Sequence, residues 1–63
     1  MKQREQVKIF RAIHSENEHK RNRAVDWLDR KGNIEGLLAV MDMSKYLPTQ
    51  LRAEAALSKY SYK

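Results

Sequence analysis

Basic side chains are the residues whose types and spacing point most clearly to a chemistry. Arg4, Lys8 and Arg11 recur at i, i+4 and i+7, and a second group follows in His19-Lys20-Arg21-Asn22-Arg23, trailed by Trp27 and Arg30. Cationic side chains gathered on one surface neutralise phosphates, and an indole sharing a helix face with two guanidiniums can stack on bases. The candidate nucleic-acid contacts are therefore Arg4, Lys8, Arg11, Lys20, Arg21, Arg23, Trp27 and Arg30. Total charge agrees with this, because thirteen Lys and Arg against eight Asp and Glu give a formal +5. Nine of those cations and only five of the acids lie in residues 1–31, so the excess belongs to the first half. A net charge of this size also serves solubility alone, and a charged stripe opposite an apolar one is what any surface helix shows.

Catalytic chemistry finds little to work with. There is no cysteine, hence no thiol nucleophile, thiolate metal site or disulfide, and a reducing cytoplasm is the expected compartment. His14 and His19 are five apart, which on one helix separates them by about 140°, whereas a helical zinc pair needs i, i+4. Asp26 and Asp29 share an outward face, but acid-base work by paired carboxylates needs a pocket that 63 residues can hardly build. Serines 15, 44, 58 and 61 are better explained as caps or polar surface than as triad members. Gly32 and Gly36 match no phosphate-binding loop. The expectation is a non-enzymatic protein without cofactor or metal.

These side chains must be held by helices. Val7, Phe10 and Ile13, flanked by Ile9, place an amphipathic helix over 2–14, with Arg4, Lys8 and Arg11 opposite the apolar stripe. Ser15-Glu16-Asn17-Glu18 fits a capping box that would start a second helix at 16; one uninterrupted helix over 2–31 is the rival reading. Gly32 closes that helix in the left-handed conformation, and Asn33 caps a third carrying Ile34, Leu37, Leu38, Val40 and Met41. Gly36 inside it implies close approach by another helix or a tolerated defect. Pro48 stops the third helix near Tyr46, and a fourth begins at Pro48 or Thr49 and runs to Tyr60, ahead of a fraying tail containing Tyr62. No alternating stretch is long enough for a strand.

The fold expected is all-α: one small domain over 1–63, a bundle of three to four short helices around Phe10, Ile13, Trp27, Leu28, Ile34, Leu37, Leu38, Met41, Leu51 and Leu57. So short a chain buries limited apolar area, and a homodimer or larger partner would complete the core. Lys20 and Arg21 fall in the sector of Ala24 and Leu28, so the start of the second helix is expected to project beyond the core. A helix-turn-helix reading about Gly32 fails, since the third helix offers outward only Glu35, Ala39, Asp42 and Met43, an acidic and apolar set.

Nucleic acid is the first-choice partner, bound as a small regulatory protein through the first two helices. The alternative is a regulator or inhibitor of another protein, acting through the apolar third helix and the C-terminal tyrosines Tyr60 and Tyr62; the short length suggests a virus or mobile element as its source. No membrane is expected: the longest apolar run, Leu37 to Met41, is far too short to span one, no signal peptide opens the chain, and the first helix has too short an apolar face to lie on lipid.

Overall fold

The computed structural model describes residues 3–60, which form four α-helices in chain order: α1 (Gln3–His14), α2 (Glu18–Arg30), α3 (Ile34–Met43) and α4 (Leu47–Ser58). Each turn between them is written in side-chain chemistry. Between α1 and α2 the chain bends, which settles against a single long helix. The cap, however, is Asn17 and not Ser15: the Asn17 carboxamide accepts from the Lys20 amide at 3.1 Å, while Ser15 Oγ takes the Asn17 amide at 3.2 Å and shapes the approach. The capping box would have started the helix two residues earlier. Asn is as strong a cap as Ser, and here it holds the position.

Gly32 adopts φ 66° behind α2, as a left-handed terminator should, and Asn33 then caps α3 by accepting from the Gly36 amide at 2.8 Å. Asn33 also donates to Glu5 at 2.7 Å, tying the α2–α3 turn to the first turn of α1. α3 ends at Met43, three residues before Tyr46. Ser44 is extended there; its hydroxyl accepts from the Tyr46 amide at 3.1 Å and its carbonyl accepts from the Gln50 side chain at 2.6 Å. α4 opens at Leu47 with Pro48 in its first turn, where the missing N–H would have had no intrahelical acceptor.

α2 and α3 are the organising elements. Each packs on all three of the other helices, while α1 lies mainly on α2 and α4 mainly on α3. Ala12, Ile13, Ala24, Val25, Leu28, Leu37, Val40, Ala53, Ala56 and Leu57 form the buried core, with Ile9, Trp27, Ile34, Leu38 and Met41 packed at its edge. The radius of gyration, 10.2 Å, matches the roughly 10–11 Å expected of a folded chain this long. None of the helices is long and apolar enough to cross a membrane.

Two expected core residues lie outside it: Phe10 is 65% and Leu51 54% exposed. The reason for Phe10 is rotation. α1 buries Ile9, Ala12 and Ile13, an arc centred roughly 100° round the helix from the Val7–Phe10–Ile13 stripe. Small Ala12 and Ala24 let α1 and α2 approach closely, and the larger Val7 and Phe10 are left outside. In α4 the alanines play the same part, so Ala53, Ala56 and Leu57 face inward and Leu51 turns out. Lys2 and the tail with Tyr62 lie outside the described residues.

Candidate nucleic-acid interface

The rotation of α1 decides where its cations go. With the core face of α1 on Ile9, Ala12 and Ile13, the cations lie on its Ala12 side, and Lys8 and Arg11 meet α2 there. The two helices run antiparallel, since Glu5 at the start of α1 reaches Asn33 beyond the end of α2. Down the groove between them lie Lys8, Arg11, Lys20 and Arg23 over Ala24. The groove continues past Lys8 and Arg23 to Asp26, Trp27 and Arg30. Five cations from two helices thus line two adjoining depressions that share Lys8 and Arg23.

Trp27 sits at the floor of the second, half-buried against the core. Arg23 and Arg30 line the same depression as the indole. The Lys8 and Lys31 ammonium groups lie 5.6 and 5.5 Å from the ring centroid, within cation–π range. The indole therefore acts as a fixed mount for two cations. Lys31, absent from the sequence-derived set, joins the site in this way; its spacing four residues after Trp27 was the available signal.

Arg21 does not belong to the groove. It is 5% exposed and completes the buried stripe of Ala24, Val25 and Leu28, so the start of α2 is seated in the fold and does not project. Its Nε donates to Thr49 Oγ1 at 2.9 Å and its Nη1 to the Ser15 carbonyl at 2.8 Å. The guanidinium carbon also lies over the Tyr46 ring, 3.6 Å from its centroid. No carboxylate is among these contacts, so the buried charge is held by dipoles and a π face. Arg4 is exposed one turn before Lys8 and continues the stripe beyond the groove.

Asp26 and Asp29 are neutralised from elsewhere. Among the described residues the ion pairs are Arg52 with Asp26 at 2.9 Å and Lys59 with Asp29 at 2.6 Å. Both cations come from the C-terminal segment, and both acids from α2. The hydrogen bond from Lys59 holds the Asp29 carboxyl below its ordinary range, and the same contact holds Lys59 above its own. The groove cations are not drawn into either pair, so their field faces solvent. Beside the groove, on the far side of Arg11 and Lys20, an open depression is lined by Val7, Phe10 and His14.

Compared with known protein families, characterised proteins and solved structures, the chain matches none.

Proposed function

We propose that this is a non-catalytic, cytoplasmic nucleic-acid-binding protein that grips the phosphate backbone in the α1–α2 groove. The observation that carries the reading is the convergence of Lys8, Arg11, Lys20, Arg23 and Arg30 on two adjoining depressions while Arg52 and Lys59 neutralise Asp26 and Asp29. Lysine and arginine on such a surface contact phosphates irrespective of sequence, and the affinity they supply is salt-dependent. Arg21 is not part of the contact set, and Trp27 serves it by mounting Lys8 and Lys31.

Trp27 is the single tryptophan of the chain and lies at the groove floor, which makes its emission a direct reporter. Titration with a short oligonucleotide at 50 mM salt is expected to quench it, and added salt to restore it. The double substitution of Arg11→Gln and Arg23→Gln is expected to weaken binding at least tenfold. Unchanged emission and no complex by anisotropy would overturn the reading.

One observation favours a second reading, docking on another protein. Met43 and Leu47 are 65% and 62% exposed near the α3–α4 turn, and Leu51 follows one turn later. These residues, and not the apolar stripe of α3, which the core has taken, are the surface a protein partner or second copy would cover. Sedimentation of the protein alone and nuclease-treated capture distinguish the two: a single stoichiometric protein retained without nucleic acid supports the second.

A further inference from the structure

The aromatic depression beside the groove extends the nucleic-acid reading, on which it rests. Phe10 is the most exposed aromatic side chain among the described residues, and its ring packs on His14 with centroids 4.6 Å apart and planes tilted by 45°. Val7 completes an apolar shelf one turn before it. Arg11 and Lys20 line both this depression and the cationic groove, so phosphate contacts and exposed rings share a rim. In a duplex the base faces are stacked inside, out of reach of such a shelf, and only the backbone would meet the groove. A single strand can lay its phosphates along the groove and turn unpaired bases outward onto rings at its edge.

We infer that the preferred ligand is single-stranded nucleic acid, with an unpaired base stacked on the Phe10–His14 shelf while Arg11 and Lys20 hold the adjoining phosphates. The positive rim argues against an apolar peptide as occupant, because the shelf cannot be covered without also covering two cations that are in no ion pair among the described residues. Phe10 is exposed and outside the core, so its replacement leaves the fold intact, which helix content by circular dichroism checks.

The test is affinity by fluorescence anisotropy for a 12-nucleotide single strand, as ribose and as deoxyribose arms, and for a 12-base-pair duplex, at one salt concentration. The single strand is expected to bind more tightly than the duplex. Phe10→Ala and Phe10→Leu are both expected to lose roughly five- to hundredfold in single-strand affinity, Phe10→Trp to retain it, and duplex affinity to stay within twofold. The salt slope of the remaining binding is expected to be unchanged. Retention by Phe10→Leu would overturn stacking, since leucine keeps the apolar contact without a π face. Duplex binding equal to or tighter than single-strand binding would overturn the inference while leaving the phosphate groove standing. Absence of binding to every strand would overturn both. Tighter binding of one sugar arm supports the inference and names the nucleic acid.

Discussion

Arg52 forks onto Asp26, with Nε 3.0 Å from Oδ1 and Nη2 2.9 Å from Oδ2, and so removes from the α1–α2 groove the one carboxylate that lines it. The pair joins α4 to α2 across 26 residues of chain. Both side chains are about half exposed, so its contribution to stability is small, under about 1 kcal/mol. Its consequence is electrostatic. With Asp26 engaged, Arg23 and Arg30, three before it and four after it on the same helix, have no neighbouring negative charge to fold back on.

Arg52→Ala should therefore weaken oligonucleotide binding by about threefold at low salt, and Asp26→Asn should strengthen it by a similar factor. Thermal midpoints should barely move. Anisotropy titrations at 20 and 200 mM salt check both, and the two effects should fade together at the higher concentration.

Arg21 should behave in the opposite manner. Removing it strands the Thr49 hydroxyl and the Ser15 carbonyl and leaves a cavity against Tyr46, so Arg21→Ala should cost about 2–4 kcal/mol. That is a large share of the roughly 3–9 kcal/mol a domain of this length possesses. Arg21→Lys keeps the charge but cannot fork and stack at once, and should lose about 1–2 kcal/mol. Urea unfolding measures the loss; affinity of the lysine variant, measured where it is folded, should match that of the wild type.

How far these roles were readable in advance depends on the distance over which each is determined. The punctuation is local and was legible: Gly32, Asn33 and Pro48 each sit at the turn their backbone chemistry dictates. The bend after His14 was legible too, although Asn17 took the cap from Ser15. Rotation of α1 was not, because the large side chains Val7 and Phe10 outweigh Ala12 in any reading of apolar pattern, whereas close packing of helices rewards the alanine. Burial of Arg21 was hidden for the same reason at longer range, since Tyr46 and Thr49, which make a polar pocket for it, lie 25 and 28 residues away. The cationic character of the first half was plain, but which cations meet in one groove followed only from that rotation.

The pH dependence of stability should be set partly by the Asp29 cluster. Tyr60 lies with its hydroxyl 2.6 Å from the Asp29 carbonyl oxygen and 3.1 Å from its carboxylate, beside Lys59. The native Asp29 carboxyl titrates below its unfolded value, chiefly through the Lys59 hydrogen bond, so its contribution is complete above the ordinary value of 3.8 and is lost as pH falls through the lowered one. Burial raises Tyr60 and the bond to Asp29 raises Lys59; their contributions are complete below their ordinary values of 10.0 and 10.5 and are lost as pH rises through the raised ones. Asp29→Asn should be less stable than the wild type at pH 7, with the gap closing in strong acid. Tyr60→Phe should show a gap that closes above pH 10. Thermal midpoints from pH 2 to 11 measure both.

The two glycines should fail for different reasons. A Cβ on Gly32 would meet open space, so Gly32→Ala should cost about 1 kcal/mol from the positive φ alone. On Gly36 it would come within 3.0 Å of Asn33 Cγ and 3.1 Å of Ile9 Cδ1, which supports close approach over a tolerated defect. Asn33 is held by the Gly36 amide on one side and Glu5 on the other, so it cannot yield without losing a cap. Gly36→Ala should therefore forfeit the roughly 1 kcal/mol that alanine gains in a helix and end less stable than the parent. Paired with Asn33→Ala, which removes the obstructing cap, the same substitution should recover part of that gain, as a double-mutant cycle by urea unfolding would record.

The most direct measurement of the central claim is the salt dependence of single-strand affinity for the wild type and for a variant with Lys8, Arg11, Lys20 and Arg23 all changed to Gln. A groove neutralising four to six phosphates predicts a slope of log K against log salt of about −3 to −4, flattening by about 0.7 for each engaged cation removed. A wild-type affinity indifferent to salt, or a slope that the four substitutions leave untouched, would contradict the account.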